Sequence, residues 1–436
     1  MPGTSARQLH LNVFLHGCGH HSAAWRLPNS PVEELGEICF YERLAQTAER
    51  GLFDAIFFAD GQSAGDPAAG PLWHLEPLTM LAAIARATER IGLVSTVSST
   101  FYEPFHAARM LASLDHISGG RIGVNVVTSM FDAEARNHGM ASMPPHEDRY
   151  ARAAEFIDVA LGLWNSWDRG ALLRDRAGRY ADPSLIRPVR HDGKHFSVDG
   201  PLNVPLSPQG SPVLFQAGAS EPGRELAANY AEGVYAVAYD LPSAQSYYGD
   251  IKRRIADAGR DPDAVAIMPG LVTYVAATEE EARAKQVAVD AYLPVETSLA
   301  QLGRFIQQDC SGWELDAPVP ALVPASDFTG PAGRYATILR IIETEQPTVR
   351  QLLGRLAAGG GHATMVGTPE QVADQMQRWF EEGGADGFNL MPPLLPESLE
   401  DFLELVVPEL QRRGLFRTEY TATTLRGHLA QRAAAA

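Results

Sequence analysis

The sequence has few cysteines, and they lie far apart. Cys18, Cys39 and Cys310 are the three cysteines among 436 residues. Three scattered thiols cannot build a disulfide framework, and their spacing does not match a zinc-binding pattern. This scarcity indicates a protein of a reducing compartment, and we expect the cytoplasm.

Long hydrophobic runs are also missing. No apolar run approaches the roughly 20 residues that a membrane-spanning helix requires. The first residues do not have the basic and then apolar pattern of a signal peptide. We therefore expect a cytoplasmic protein that has no membrane partner.

Positive charge is scarce as well. The formal net charge is −17 at pH 7, with 36 Lys and Arg against 53 Asp and Glu. An acidic surface repels phosphate backbones and anionic lipids. We therefore expect no nucleic-acid partner, and a small organic molecule is the better candidate for a ligand.

Several common catalytic motifs are absent too. The sequence contains no nucleophile elbow, no P-loop and no G-x-G-x-x-G turn. These absences leave no motif-based argument for acyl transfer or phosphoryl transfer. A site without such groups suits a cofactor that supplies the difficult chemistry itself.

What the sequence does contain is an alternation of short apolar runs with segments of helical periodicity. Nearly continuous apolar runs are typical of parallel strands that are buried on both faces. Strands that alternate with helices predict an α/β fold, and eight strands favour a closed (β/α)8 TIM barrel over an open sheet. The predicted strands are Leu9–Phe14, Phe53–Ala59, Ile91–Val97, Ile122–Val127, Val213–Ala217, Gly233–Ala238, Ile267–Tyr274 and Phe388–Met391.

The chain is longer than a minimal barrel, so we expect insertions in a single domain spanning residues 1–436. Polar residues 168–206 predict an insertion with a hairpin after the fourth strand. Residues 295–361, rich in Pro, Gly and Asp, predict a second insertion after the seventh strand that mixes short helices with a mobile lid. Residues 409–436 form a C-terminal extension.

A phosphate site is predicted where the fifth strand leads into a helix, at Gln216–Ala231. Gly218, Ala219 and Ser220 leave little side-chain bulk at the start of that helix, whose first N–H groups lack intrahelical partners and attract anions. An ordinary strand–turn–helix junction that uses small residues for close packing is an equally good interpretation.

The end of the first strand carries His16, Cys18, His20 and His21. On an extended backbone, His16, Cys18 and His20 would lie on one side, which suggests a metal site, although later strand ends supply no further ligands. We favour a substrate pocket lined by His20, His21, Trp25 and Arg26, and simple loop packing is the alternative.

Polar residues also follow the next three strands. Asp60 is a functional carboxylate or a turn residue, and the hydroxyls of Thr96 and Ser98 bind a polar ring or satisfy loop backbone. Asn125 is costly to bury without partners, so we favour a functional role. Further along the chain, His146, Arg149 and Tyr150 could contact a phosphate or begin a polar helix.

The same residues closely resemble one family. The strings HGCGHHSAAWRLP, AERGLFDAIFFAD, LDHISGGRIGVNVVTS, HEDRYARAAEF, GPLNVPLSPQGSPVLFQAGASEPGRELAA and MVGTPEQVADQM resemble the bacterial-luciferase-like flavin monooxygenases. Within them, the chain is similar to the branch of nitrilotriacetate monooxygenase component A, EDTA monooxygenase and dibenzothiophene-sulfone monooxygenase. The resemblance covers nearly the whole chain and is weakest in residues 295–361.

The resemblance implies a two-component system. A separate NAD(P)H-dependent flavin reductase would supply diffusible reduced FMN, and this chain would react it with O₂ to a C4a-(hydro)peroxyflavin that oxygenates a small substrate. His20 or His21 could donate a proton or contact the substrate. By motif position, the FMN-binding residues would be Asp60, Thr96 or Ser98 and Asn125 at the ring, and His146, Tyr150 and Ser220 toward the phosphate.

Two alternatives and one choice of substrate stay open at this point. The alternatives are a deazaflavin-dependent oxidoreductase, which would need basic residues near the phosphate site beyond Arg224, and a non-catalytic flavin-binding protein. A polycarboxylate substrate needs several cations, for which Arg26 alone is weak support. An apolar heterocycle suits Trp25, Phe101 and Tyr102, and we favour it slightly. We also expect a homo-oligomer, a dimer or a tetramer.

Overall fold

The computed structural model describes residues 7–64, 67, 70–71, 75–324, 327–328 and 332–430 of the chain. In this part, no helix is long and apolar enough to cross a membrane. The strands are β1 (His10–Phe14), β2 (Ala55–Phe58), β3 (Gly92–Ser98), β4 (Ile122–Val127), β5 (His191–Asp192), β6 (Ser197–Val198), β7 (Val213–Gln216), β8 (Gly233–Ala236), β9 (Ala266–Val275), β10 (Ala363–Gly367) and β11 (Gly387–Leu390).

Eight of these strands form a closed parallel barrel. The order β1-β2-β3-β4-β7-β8-β9-β11 returns to β1, and every pairing in the ring is parallel. Each of the eight predicted strands corresponds to one of them. The (β/α)8 prediction is therefore confirmed, and it rests on continuous apolar runs that are buried on both faces.

One strand was missed by the sequence analysis. β10 pairs in parallel with the second half of β9, from Leu271 to Val275, and so extends the sheet above the barrel ring. Its five residues follow three glycines and His362, and they lead into a helix capped by Thr368. A run this short, beside turn residues, carries too little periodicity to separate it from a loop.

Helices surround the barrel and lie over its two ends. In the described part they are α1 (Ile38–Arg50), α2 (Pro77–Ala87), α3 (Pro104–Ser118), α4 (Asp132–Asn137), α5 (His146–Trp164), α6 (Glu221–Tyr230), α7 (Leu241–Asp257), α8 (Glu279–Asp290), α9 (Val295–Ile306), α10 (Ala332–Glu345), α11 (Val349–Ala357), α12 (Pro369–Glu381), α13 (Glu397–Asp401), α14 (Val407–Arg412) and α15 (Leu425–Leu429). A π-helical turn, Phe402–Val406, joins α13 to α14.

The residues expected to form a lid are largely helical. α9, α10 and α11 pack around an apolar cluster of their own, separate from the main barrel core. This cluster includes Leu299, Leu302, Ile338 and Leu352, which are all buried. We call α9–α11 the helical cover, because it packs as a unit rather than as a loop.

The C-terminal extension closes the amino-terminal end of the barrel. Leu425 is fully buried there among residues of the barrel interior, such as Val94 and Phe215. The strands make room for it with glycines, since a Cβ on Gly92 would come within 2.5 Å of the Leu425 side chain. The extension therefore leaves the carboxyl-terminal end of the barrel as the accessible mouth.

Candidate functional site

An aromatic layer forms the floor of the mouth. The ring of Phe14 lies 5.4 Å from that of Phe57 and 6.0 Å from that of Tyr235, edge to face in both pairs. Phe57 lies 6.1 Å from Tyr235. These residues come from β1, β2 and β8, and such edge-to-face packing fixes their positions. The floor therefore offers a rigid apolar surface to a flat ring.

A polar pair stands on the neighbouring strands. Thr96 of β3 and Asn125 of β4 are opposite each other in register. Asn125 Nδ2 donates to Thr96 Oγ1 at 3.1 Å, and Thr96 Oγ1 donates to the carbonyl of Phe58 at 2.9 Å. Asn125 is 4% exposed, and its Oδ1 has no hydrogen-bond partner in the described part of the chain. A buried unpaired amide oxygen is costly, so it is available to accept from a ligand N–H.

Ser98, also predicted as a cofactor contact, lies near the end of the same strand as Thr96. Ser98 is buried, and its hydroxyl accepts from Ser129 Oγ at 2.9 Å. Ser129 has a left-handed φ of 53° and offers its carbonyl to the guanidinium of Arg149. This chain of contacts connects β3, the loop after β4 and the first turn of α5.

The predicted phosphate site is built at the start of α6. Ser220 caps this helix, with its Oγ 3.4 Å from Gly223 N, and donates to the hydroxyl of Tyr150 at 3.3 Å. Gly218 and Gly223 approach so closely that a Cβ on Gly218 would lie 2.7 Å from Gly223 Cα. The structure thus brings Ser220 and Tyr150, which are 70 residues apart in the chain, to one helix N-terminus.

Two further residues near the phosphate site have different surroundings. His146 is exposed at the first turn of α5, and its ring lies 4.8 Å from that of Tyr150. Arg224 donates from Nε to the carbonyl of Ala219 at 3.0 Å and pairs with Asp250 at 2.8 Å. The Arg224 guanidinium is therefore engaged with protein groups, whereas the His146 ring is exposed beside Tyr150.

His20 lies over the aromatic floor. Its ring is 4.5 Å from that of Phe14 and 5.3 Å from that of His16. Burial, then the neighbouring His16 and also His362, hold the pKa of His20 well below its usual value. Its Nε2 lies 2.9 Å from the carbonyl of Phe14, which can only accept, so Nε2 carries the proton. His20 is therefore neutral near pH 7, and its Nδ1 is an acceptor.

His21, unlike His20, fixes the position of the loop after β1. It is 2% exposed, its Nε2 donates to Asp290 at 3.0 Å, and its Nδ1 accepts from Ala23 N at 3.1 Å. It also pairs as an isolated bridge with Ala358, at the end of the helical cover. Both ring nitrogens are engaged, which suits a role in joining the loop after β1 to the cover.

The alternative of a metal site at His16, Cys18 and His20 is wrong, because the backbone there is not extended. The backbone there is a turn, in which Gly19 N donates to the His16 carbonyl at 2.8 Å and Gly17 has φ of 47°. This turn stacks His16 on His20 but sends Cys18 into the apolar core. Among the described residues, no group of three or more His, Cys, Asp or Glu side chains could hold a metal ion.

A cavity of about 300 Å³ lies between His20 and the helical cover. His16, His20 and Met391 line it from the barrel, and Leu302, Phe305 and Leu356 line it from the cover. Larger depressions lie elsewhere, including one of about 520 Å³ at the other end of the barrel. In barrels of this type the chemistry takes place at the carboxyl-terminal mouth, so the smaller cavity is the candidate substrate pocket.

The sequence model of the luciferase-like monooxygenase family matches residues 18–387. The chain belongs to this family. Nitrilotriacetate monooxygenase component A of Aminobacter aminovorans is 44% identical over 438 residues, which cover 97% of this chain and 96% of that protein. The predicted resemblance is therefore confirmed, and the chain is an oxygenating enzyme.

Solved structures of related proteins have the same fold over nearly the whole chain. DmoA of Hyphomicrobium sulfonivorans superposes with a TM-score of 0.87 at 33% identity, over 97% of this chain and 92% of that one. A riboflavin lyase solved with modified FMN and riboflavin gives a TM-score of 0.83 at 32% identity, over 97% and 96% of the two chains. The barrel with its insertions is thus the arrangement that this luciferase-like enzyme shares with them.

The rim of the mouth joins three strand-end loops. Asp60 accepts from Gln62 Nε2 at 3.0 Å, and Gln62 Oε1 is 2.5 Å from His138 Nε2. The ring of Phe101 stacks on that of His138 at 4.3 Å. Burial, then Glu76 and Asp60, raise the pKa of Tyr102 to about 12. Asp60, Phe101 and Tyr102 are therefore brought together on the rim, outside the cavity lining.

Trp25 and Arg26 lie on the loop after β1. The Arg26 guanidinium is 4.4 Å from the centre of the Trp25 ring. Trp25 Nε1 is buried without a hydrogen-bond partner in the described part, close to Gly70 of the loop after β2. Trp25 is half-buried and Arg26 is exposed, and both lie outside the cavity lining.

The sequence analysis did not identify Tyr235 and His362, which also lie at the mouth of this luciferase-like enzyme. Tyr235 lies 3.0 Å from His362 Nε2 and 3.2 Å from Met391 Sδ through its hydroxyl. Gly270 makes this possible, because a Cβ there would come within 2.4 Å of His362. Tyr235 is the next-to-last residue of β8. Because residues alternate between the inside and the outside of a barrel, the predicted fold could have identified it as facing inward. His362 had no such signal, because β10 was not recognised.

Proposed function

We propose that this chain is the oxygenating component of a two-component flavin monooxygenase, which binds reduced FMN at the barrel mouth and oxygenates a small organic substrate. The single observation that carries the proposal is the buried, unpaired Oδ1 of Asn125, beside Thr96 and above a rigid aromatic floor. A flat ring with N–H donors on its edge would supply the hydrogen bond that this atom lacks.

The phosphate of FMN fits the start of α6. A helix N-terminus presents unpaired N–H groups and a positive dipole end to an anion. Ser220 and Tyr150 add two hydroxyl groups at the same place, and His146 stands one turn from Tyr150. The glycine pair Gly218 and Gly223 lets the turn after β7 pack directly against the first turn of α6.

The ring of FMN fits the other half of the mouth. Asn125 and Thr96 would meet its polar edge, Ser98 and Asp60 would lie further out, and Phe14 and Tyr235 would support its face. Bound reduced flavin supplies the oxygen chemistry, in which O₂ is activated, one oxygen atom passes to the substrate and the other leaves as water. The chain's own residues orient, shield and manage protons.

His20 is assigned a proton-accepting or substrate-orienting role. Its Nε2–H is fixed by the Phe14 carbonyl, so a neutral Nδ1 is presented beside the substrate cavity. The helical cover would shield that cavity from water, because its apolar residues Leu302, Phe305 and Leu356 form part of one wall. His21 would maintain this closure through Asp290.

The partner that delivers reduced FMN would be an NAD(P)H-dependent flavin reductase. Support comes from the relative at 44% identity, which is named as component A of a monooxygenase. An apolar or weakly polar substrate suits the cavity best, because the residues that line it include no Lys or Arg. Deazaflavin is disfavoured, because Arg224, the cation beside the phosphate site, is engaged with Asp250.

The test is oxygen incorporation. The enzyme would be supplied with a flavin reductase, NADH and FMN under ¹⁸O₂, with aromatic sulfones as first substrates. One ¹⁸O atom per product molecule, together with loss of product when FMN is omitted, is the expected result. Product that forms without O₂, or that takes its oxygen only from water, would contradict the proposal.

A further inference from the structure

A basic arm projects from the barrel. In residues 171–182, which we call the arm, Leu173 N donates to Tyr180 O at 3.0 Å, Asp175 N donates to Arg179 O at 3.2 Å, and Asp182 N donates to Ala171 O at 2.8 Å. The chain therefore turns back on itself as a two-stranded ribbon. Its base is fixed to the body of the protein by Trp167, whose Nε1 donates to Leu202 O at 2.7 Å.

The arm has no core beneath it. Every residue from 173 to 180 is exposed, and Leu173 and Tyr180 are 50% and 68% exposed although they are large and apolar. A lone two-stranded ribbon is only marginally stable in water, and it gains stability when one face packs against another surface. The arm therefore presents apolar side chains that its own chain does not cover.

The charge of the arm is opposite to that of the molecule. Its exposed residues 173–180 contain three Arg against one Asp, whereas the whole chain has a net charge of −17. Arg174, Arg176 and Arg179 at the tip make no ion pair with any described residue. Arginine and tyrosine are the residue types most enriched at the energetic centres of protein interfaces.

We propose that the arm docks on the acidic surface of a second copy of this chain. Charge complementarity selects that partner, since a basic tip is attracted to an acidic body and this chain has both. Leu173 and Tyr180 would then be buried against the neighbour, flanked by the three arginines. The proposal does not depend on the flavin chemistry, and it assigns an interface to the homo-oligomer expected from the sequence.

The experiment is sedimentation equilibrium of the full chain. Wild type should sediment at a multiple of 47.2 kDa. The double variant Arg174→Glu with Arg179→Glu should dissociate with a constant raised by at least about tenfold. The matched control is Arg86→Glu with Arg109→Glu, which makes the same charge change at exposed helix positions that have no ion pair with any described residue.

A second variant guards against a trivial loss of folding. Leu173→Ser with Tyr180→Ser keeps every charge and should dissociate as well, with an unchanged circular dichroism spectrum. Trypsin gives a readout on wild type alone, because docking should protect Arg174, Arg176 and Arg179 as protein concentration rises. A monomeric wild type, an arm variant as tightly associated as the control, or cleavage independent of concentration would each overturn the proposal.

Discussion

At the residue scale, the contributions of Asn125 to stability and to ligand binding can be measured separately. Its amide is buried with one hydrogen bond made and one acceptor unpaired. A leucine of similar size would remove the unpaired Oδ1, and Thr96 Oγ1 would keep its hydrogen bond to the Phe58 carbonyl. The free protein therefore tolerates a cost at Asn125 that a bound ligand would remove.

We expect Asn125→Leu to leave the melting temperature of the flavin-free protein unchanged or higher. The same change should weaken binding of reduced FMN by about tenfold to a hundredfold, since one hydrogen bond in a buried site is lost. The control is Asn12→Leu, because Asn12 is also buried with an unpaired Oδ1 but precedes the aromatic floor by two residues. A drop in affinity of equal size in both variants would refute a specific role for Asn125.

The neutral state of His20 predicts a pH dependence of stability. Because its pKa is lowered in the folded protein, the unfolded state takes up a proton at a higher pH than the folded state does. The contribution of His20 to the free energy of unfolding is therefore fully present above pH 6.5, which is about the pKa of histidine in the unfolded chain. It falls as the pH drops below that value, by at most about 1.4 kcal/mol per pH unit.

Urea unfolding at pH 7.5 and pH 5.5 measures this effect. Wild type should lose more free energy of unfolding between the two pH values than His20→Gln, whose amide can still donate to the Phe14 carbonyl. The variant also provides the control, because all other titrating groups, including the buried His428, are shared. Equal losses in both proteins would show that His20 does not resist protonation.

At the element scale, the start of α6 offers a test that preserves the fold. Aspartate is as good an N-cap as serine, so Ser220→Asp should keep the helix. Its negative charge should repel the FMN phosphate and weaken binding of reduced FMN, by about tenfold or more in anaerobic calorimetry. The affinity for reduced riboflavin, which has no phosphate, should change little. Thr278→Asp, the corresponding cap of α8, is the control.

The helical cover is tied to the barrel through Asp290, which accepts from His21 and lies against Gly354 of α11. Asp290→Ala should loosen the cover and admit water, so that reduced flavin bound to the enzyme reoxidises faster in air. Stopped-flow absorbance measures this rate, with Asp257→Ala on the exposed end of α7 as control. An unchanged rate would show that this contact does not hold the cover closed.

Elements that were predicted correctly share a physical basis. The eight barrel strands are continuous apolar runs between helices, and the cap at Thr368 is a Thr-Pro-Glu string, so local sequence determines both. β10 escaped prediction because its pairing with β9 is a tertiary contact. Cys18 was placed beside His16 on an extended backbone, whereas the left-handed Gly17 turns the chain there.

At the scale of the site, residue types were easier to predict than their contacts. Asn125 was identified because burying a polar side chain in an apolar strand is costly without a partner. Ser220 was identified because small residues begin its helix. The contacts of His21 with Asp290, 269 residues away, follow only from the packed fold. His362 reaches the mouth only because Gly270 leaves space on another strand.

At the scale of the whole molecule, the two ends of the barrel have separate tasks. The C-terminal extension fills one end with Leu425, and the mouth lies at the other. Leu425→Ala should therefore lower the free energy of unfolding by about 2–5 kcal/mol, because it leaves a cavity in a fully buried site. Affinity for reduced FMN should not change. Loss of FMN binding in a folded Leu425→Ala protein would contradict this separation.

The central claim is that the mouth of the barrel binds reduced FMN. Anaerobic titration of the fluorescence of the six tryptophans with reduced FMN, oxidised FMN and a deazaflavin tests it directly. We expect clear preference for reduced FMN, and weaker binding of reduced FMN in Ser220→Asp and Asn125→Leu than in wild type. Preference for the deazaflavin, or no binding of any of the three, would contradict the account.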